Sequence, residues 1–579
     1  MDGDLANQGS EQRRGRVPVR TITAVALVAA ACGGEKSAQQ TMTVAQLEDP
    51  RNLQAVPSDS LQGVVGQHAC VRVEDPVFRA MDARGQRETA NDAQGPLGGF
   101  CVKCHAPMAY LKDPNTVAAD LDSLPESMQG ITCYFCHQVK DVTDTHNNPL
   151  VLANDTTMRG EYTDPVSNKA HLGAYSELHD ADGLHTKSGN GLESSKLCGA
   201  CHDIVVPAHF SGASQDVALE RTYTEWQGSI FGQTGPFSSP DACGSGGCHT
   251  RPTNFDTTYA GVPIADATLN PGVKAREHLH PHGFPGVDLA LTDFPEKDAQ
   301  RKGVDTMLAS TLRITLCVAN LENVIGVVIE NTSVGHNIPS GASQDRRMWL
   351  DVRGYRAQQQ TFEAGVVPTG HSPTELLDSS SPLYDPNFVT SCNDTQNATV
   401  KCDLMRDKPV DKNGNPVDMF WQVASVPAAN RTTIAVPFTT NSSDPRSHTG
   451  GNVANWIYRT PARPDRVTLT IRIQPIGIDV LESLLGSHDL APSSIGGADV
   501  ADAGLAVDGG SANATLAFAN EPALAILPNT IFDDAGAAPT EAVTLDWNPQ
   551  TVASVGATNV AFNTTGPPSS CVTTALMRR

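Results

Sequence analysis

The sequence predicts a multidomain chain: a mainly-α, irregular segment over residues 61–300, then an antiparallel β-sandwich of the immunoglobulin-like (Ig-like) kind over 310–480. Three observations predict it. Four Cys…Cys-His motifs fall between residues 101 and 249, where the chain offers only short helical stretches such as Pro76–Arg84 and Val217–Phe231. From about residue 310 the apolar positions switch to a period of two, the period of a strand with one buried face. And 579 residues exceed what one core can organise, so about two to four domains are expected.

The first element, 1–32, reads as an export signal. Arg13, Arg14, Arg16 and Arg20 form a charged region, and the apolar stretch Thr21–Ala31 follows, too short to span a bilayer. Small residues directly before Cys32 resemble a bacterial lipobox with Cys32 as the lipidated residue. The alternative is ordinary cleavage near Ala31, with Cys32 incidental. No later segment carries the roughly 18 apolar residues of a spanning helix, so membrane attachment is expected through lipid only. Residues 33–60 are polar and read as a tether.

The third element holds the chemistry. Cys101-Val-Lys-Cys104-His105, Cys133-Tyr-Phe-Cys136-His137 and Cys198-Gly-Ala-Cys201-His202 share the spacing of covalent haem attachment: two thiols bond to the two vinyl groups, and the adjacent histidine ligates iron from one face. Composition predicts roughly 0.01 such motifs by chance, so three are a signal. Zinc or redox Cys-x-x-Cys sites are the rival, but they do not require a histidine after each second cysteine. The fourth motif, Cys243-Gly-Ser-Gly-Gly-Cys248-His249, has a spacer of four residues. Its glycines could loop out so that both thiols reach a vinyl; a single thioether from Cys248, or no haem, are the alternatives. Four haem c groups in so short a stretch would pack side by side as an electron conduit. They would also explain a thin apolar content, 39% hydrophobic and only 5% aromatic residues.

Each iron has a second axial position. The remaining histidines before residue 300 are His68, His146, His171, His179, His185, His209, His278, His280 and His282, enough for bis-His ligation throughout, although a lone histidine is more often a surface or capping residue. Met108 is a weaker candidate, with apolar packing as its alternative. Of the 14 cysteines, Cys70, Cys317, Cys392, Cys402 and Cys571 lie outside Cys32 and the motifs. Cys392 and Cys402 are candidates for a disulfide, and the other three cannot all pair within the chain.

The β-region is expected to contain strands at Leu312–Ala319, Val324–Glu330, Arg347–Tyr355, Thr432–Phe438 and Arg466–Gln474, with a long insertion near 370–420. Arg466–Gln474 alternates strictly, with Val467, Leu469, Ile471 and Ile473 on one face. The tail 490–579, rich in Ala, Gly, Ser and Asn, is expected to be loose, with one strand at Ala542–Trp547.

Several segments resemble the tetrahaem cytochrome c-554 family of multihaem c-type cytochromes: the run His68-Ala-Cys70 with DPVFRAMDARGQRE and then FCVKCHAPMA, GITCYFCHQV, KLCGACHDI, TYTEW, HGFPGVD (His282–Asp288), VGHNIPSG (Val334–Gly341) and RRMWLDV. They cover most of 65–355, with an echo at IRIQPIGIDVLESLL. The resemblance implies a multihaem cytochrome c domain over 61–300, with His68, His171 and His282 as distal iron ligands; His179 is the fourth choice. The chain departs from the pattern twice. Relatives usually carry a further Cys-x-x-Cys-His before the His68 segment, where this chain reads DPRNLQAVPSDSLQ, and the fourth motif is lengthened.

The formal net charge of -23 disfavours nucleic acid and suits docking to basic patches of other redox proteins, cytochromes or quinol-linked donors. The leading expectation is electron transfer by an exported protein, lipid-anchored in the periplasm or at the outer membrane or cell surface. The alternatives are a haem-dependent oxidoreductase of small nitrogen compounds, which needs one iron with an open face, and a structural subunit of an extracellular cytochrome assembly.

Overall fold

The computed structural model describes most of residues 75–152, 195–233, 241–249, 284–288, 303–390, 404–437 and 452–490, with strand segments at 161–163, 170–174, 524–526, 543–546 and 570–573. The signal segment with Cys32, the tether, Cys70 and the pair Cys392 and Cys402 lie outside these residues. Among the described residues no helix is long and apolar enough to cross a membrane.

The first helix, α1 (Pro76–Thr89), starts where it does for local reasons. Asp75 caps it by accepting from the N–H groups of Val77 and Phe78 at 2.8 and 3.1 Å, and Pro76 occupies the first turn, where no N–H is needed. Short helices follow: α2 (Val102–His105), α3 (Pro107–Lys112), α4 (Ser195–Gly199), α5 (Ala208–Ser211) and α6 (Thr222–Gly228). Phe78 of α1 packs with Val102, Ala106 and Ala109 over the 118–123 turn.

Three antiparallel ladders interrupt this part, where no sheet was expected. They pair β1 (Val139–Val142) with β2 (Leu150–Leu152), β3 (Glu161–Thr163) with β4 (Ala170–Ala174), and β5 (Ile204–Val206) with β6 (Val217–Glu220). The last corrects the helix expected over Val217–Phe231. Val217 and Leu219 alternate with Ala218 and Glu220 in burial, and they pair with an Ile-Val-Val strand that favours the pleated surface. Helix begins only at Thr222.

Strands β7 (Leu312–Val318), β8 (Val324–Asn331), β9 (Arg347–Arg356), β10 (Gln359–Ala364), β11 (Val453–Arg459), β12 (Arg466–Gln474), β13 (Leu524–Ile526), β14 (Val543–Asp546) and β15 (Ser570–Thr573) form two antiparallel sheets. One has the order β11-β8-β7-β15; the other has β10-β9-β12-β13, with β14 also paired to β12. Leu312, Ile314 and Leu316 of β7 share a single core with Met348, Leu350 and Val352 of β9 and the four apolar residues of β12. Burial in β12 alternates residue by residue, as its pattern predicts. No strand forms over the described part of Thr432–Phe438, where Ile434 makes a single isolated bridge to Ile338. In the stretch 490–579, expected to be loose with one strand at Ala542–Trp547, three short strands are described, and β14 is the one at the expected place.

Strand β9 is buried on both faces from Arg347 to Val352. Its outer face is covered by the insertion and by α8 (Ile478–Gly486), which follows α7 (Pro386–Thr390) in chain order. Trp349 packs on Leu376, Phe388 and Leu404 and donates to Gly365 O at 2.9 Å. Gly365 has φ +74, and a Cβ there would sit 1.8 Å from Leu350 O, so the close approach requires glycine. Helix α8 also packs on α1 and Trp421, whose indole donates to Glu88 at 2.8 Å. The two halves of the chain therefore share a core.

Candidate haem-attachment site

Three of the four motifs are described with both cysteines and the histidine. In the first, the N–H groups of Cys104 and His105 donate back to Cys101 O at 3.2 and 3.1 Å. In the third, those of Cys201 and His202 donate to Cys198 O at 3.2 and 2.9 Å. A helical turn sets residues i and i+3 on one face, so each pair of thiols projects together. The fourth motif carries two more residues, yet the His249 N–H still donates to the carbonyl of the first cysteine, Cys243, at 3.1 Å. The first, third and fourth motifs thus share one closing hydrogen bond despite their unequal spacers.

Short links hold the motifs against one another. The Asn148 N–H donates to Ala200 O at 2.6 Å, and its side chain donates to Lys103 O, joining the third motif to the first. The Cys243 N–H donates to Ser195 Oγ at 3.0 Å, joining the fourth to α4. Cys104 lies near enough to Cys201 to raise it, and Cys136 of the second motif is near enough to Cys198 and Cys201 for its charge to raise both.

Electrostatics suits the donor set. Burial, then the His202 charge, push His105 down to about 4. Burial lowers His249 as well. His202 is exposed, yet the protein around it desolvates the ring and, with His249, holds it near the same value, about 4. All three imidazoles are thus neutral at pH 7, the form whose nitrogen can ligate iron. Burial raises Cys198 and Cys243 to about 12 and Cys101 above its usual value, so these thiols stay protonated. Cys101, Cys104, Cys198, Cys201 and Cys243 are not in disulfides, whereas Cys317 is, and the ladder sets Cys571 of β15 opposite it. Paired thiols left unjoined beside neutral histidines fit haem c.

The loop after β8 adds a residue that the sequence reading missed, because it considered histidines only before residue 300. His336 faces His249 with ring centroids 6.2 Å apart and planes at 13°. The loop is clamped to α6: Glu225 accepts from the Asn337 N–H and side chain at 3.0 and 2.8 Å and from Ser340 Oγ at 2.6 Å. The His249 Nδ1–H donates to Pro285 O at 2.8 Å, and Asp288 in the same segment holds Arg346 at 2.7 and 3.0 Å. TYTEW, Phe284–Asp288 and VGHNIPSG thus meet at one place. The signal that could have found His336 is its setting, a histidine beside glycine with a proline close behind, as in the His282 segment.

Cys133, His137, His68, His179 and His282 lie outside the described residues, and His171 is described only as backbone in β4. His209 pairs with Asp92 at 3.2 Å, and Met108 packs against the Phe135–Val139 cluster. Among the described residues, no group of three or more His, Cys, Asp or Glu side chains is arranged to hold a metal ion by itself.

No family model matches the chain, and no curated protein matches it. Among solved structures it is similar to a penta-heme cytochrome c552 from Thermochromatium tepidum, at 15% identity and a TM-score of 0.39, over 77% of this chain and 97% of that one.

Proposed function

We propose that the chain is an exported multihaem c-type cytochrome that transfers electrons between periplasmic or cell-surface redox partners through about four covalently bound haems. The observation that supports it best is the shared closure of the first, third and fourth motifs, in which the histidine N–H returns to the carbonyl of the first cysteine despite the unequal spacers. Haem c supplies a one-electron iron couple. The chain's residues do the rest. His105, His202 and His249 present neutral imidazoles, and the adjoining thiols provide attachment. Asn148 and Ser195 keep the attachment turns in contact.

The two sheets behind the site support an Ig-like reading. The neighbours β7-β8-β11 and β10-β9-β12-β13 stand in the relation A-B-E and C′-C-F-G of that fold family. The acidic surface suits basic patches on cytochromes or quinol-linked donors and disfavours nucleic acid. A lipid on Cys32 serves as the membrane attachment, in the periplasm or at the outer membrane.

Intact mass and pyridine haemochrome analysis of the purified exported protein test the proposal. The expected result is four covalent haems, with one lost in the Cys243→Ala/Cys248→Ala double variant. Wild-type protein without covalent haem overturns the reading; a double variant that keeps every haem removes the fourth site from it.

A further inference from the structure

We infer that His336 is the second axial ligand of the iron whose first ligand is His249, so that the loop after β8 completes the fourth haem site. The inference rests on the multihaem reading above and adds a ligand from the sheet region. An imidazole bound to iron places its ring centre about 3.1 Å from the metal, with a bond of about 2.0 Å and about 1.1 Å from nitrogen to ring centre. Two such rings on opposite faces of one iron therefore stand about 6.2 Å apart. The His249 and His336 centroids are 6.2 Å apart, with planes 13° from parallel.

The hydrogen bonds orient both rings for this role. The Nδ1–H of His249 donates to Pro285 O at 2.8 Å and that of His336 to Asn337 O at 2.9 Å. A backbone carbonyl can only accept, so each Nε2 of the neutral ring carries the lone pair, the arrangement by which an outer partner fixes a ligating histidine. Among the described residues neither Nε2 has a hydrogen-bond partner.

The loop that carries His336 is built to hold one position. Asn331 accepts from the Val334 N–H at 3.1 Å and donates to His336 O at 2.9 Å, while Glu225 fixes Asn337 on the other side. A Cβ on Gly335 would meet the Trp226 ring at 2.9 Å, so the loop lies directly against α6. A ligand held this firmly needs no rearrangement to bind.

The test uses the purified holoprotein. His336→Ala should keep the wild-type haem count by mass and convert one haem from low to high spin in the EPR spectrum, with low spin restored by added imidazole. His371→Ala, at an exposed histidine paired to Glu375, should leave the spectrum unchanged. His336→Met keeps a ligand of similar volume and should show a sulfur-to-iron charge-transfer band in the near infrared, which covers the case in which the alanine variant does not fold. Full haem content with every haem still low-spin in His336→Ala, or no such band in a folded His336→Met, overturns the assignment and leaves the multihaem reading intact. Absence of covalent haem from the wild type defeats that reading instead.

Discussion

Replacing Arg347 with methionine tests how the sheet region is locked to its cover. The Arg347 side chain is 0% exposed, and its guanidinium reaches Asp479 at 2.5, 3.1 and 3.2 Å, Asp418 at 3.3 Å, and the carbonyls of Gln344 and Arg346 at 2.7 and 3.0 Å. Methionine fills similar space and leaves Asp479 without its guanidinium partner, while Asp418 keeps Arg406 at 3.5 Å. Removing one partner of a buried pair costs about 3–5 kcal/mol. Asp479 keeps Ser372 Oγ at 3.0 Å, and both carboxylates are partly exposed, at 24% and 35%, so the lower end, about 3 kcal/mol, is expected. At roughly 2–4 °C per kcal/mol for a region of this size, melting should fall by about 6–12 °C.

The same variant carries a pH signature. Burial alone would raise Asp479, but Arg347 and its hydrogen bonds bring it below the usual carboxylate range. A depressed carboxyl contributes stability that is present above its unfolded value of about 3.9 and is lost as pH falls through the folded one. The gap between wild type and Arg347→Met should therefore shrink below about pH 4. Urea unfolding followed by circular dichroism reads both effects. Adding Asp479→Leu should recover part of the loss, because a charge is no longer stranded. A single-variant loss under about 1 kcal/mol, or a double variant that costs the full sum, would refute the reasoning.

Gly199→Ala should cost about 1–3 kcal/mol in the same assay, because a Cβ there would meet the Tyr223 ring at 2.3–2.7 Å and an aromatic ring cannot yield as a flexible chain can; an unchanged midpoint would show that Tyr223 moves freely. Cys32→Ser should move the protein from the membrane fraction to the soluble one, since the several acyl chains of a lipoprotein anchor firmly at about 0.8 kcal/mol per buried CH₂. Wild-type protein already soluble after fractionation counts against lipidation.

Legibility followed how local each signal was. β12 was readable to the residue, because one sheet face meets the core and the other does not, and a period of two records that directly. β9 was visible as a strand, but nothing in its pattern says that an insertion and α8 bury its second face. Val217–Glu220 misled because its apolar residues also fit a helix, and its partner β5 decided the matter from a distance. The helical turns of the first and third Cys-x-x-Cys-His motifs follow from their spacing alone. Their mutual contact, and the arrival of His336 from beyond the haem-motif segment, depend on Glu225 and Asn148, whose roles appear only once the chain is folded.

The ladder between β7 and β15 has a consequence for assembly. β15 covers the side of β7 that β8 leaves open, yet it lies far along the chain from it. Until it arrives, Leu312–Val318 presents a bare, largely apolar edge with its N–H and C=O groups available to any other strand, the template for edge-to-edge association. The Cys…Cys-His motifs lie well upstream, so the chain reaches them before it reaches this strand. β15 therefore works as a closing seam: deleting Ser570–Thr573 would leave the Cys…Cys-His motifs untouched and the sheet behind them prone to sticking to its own copies.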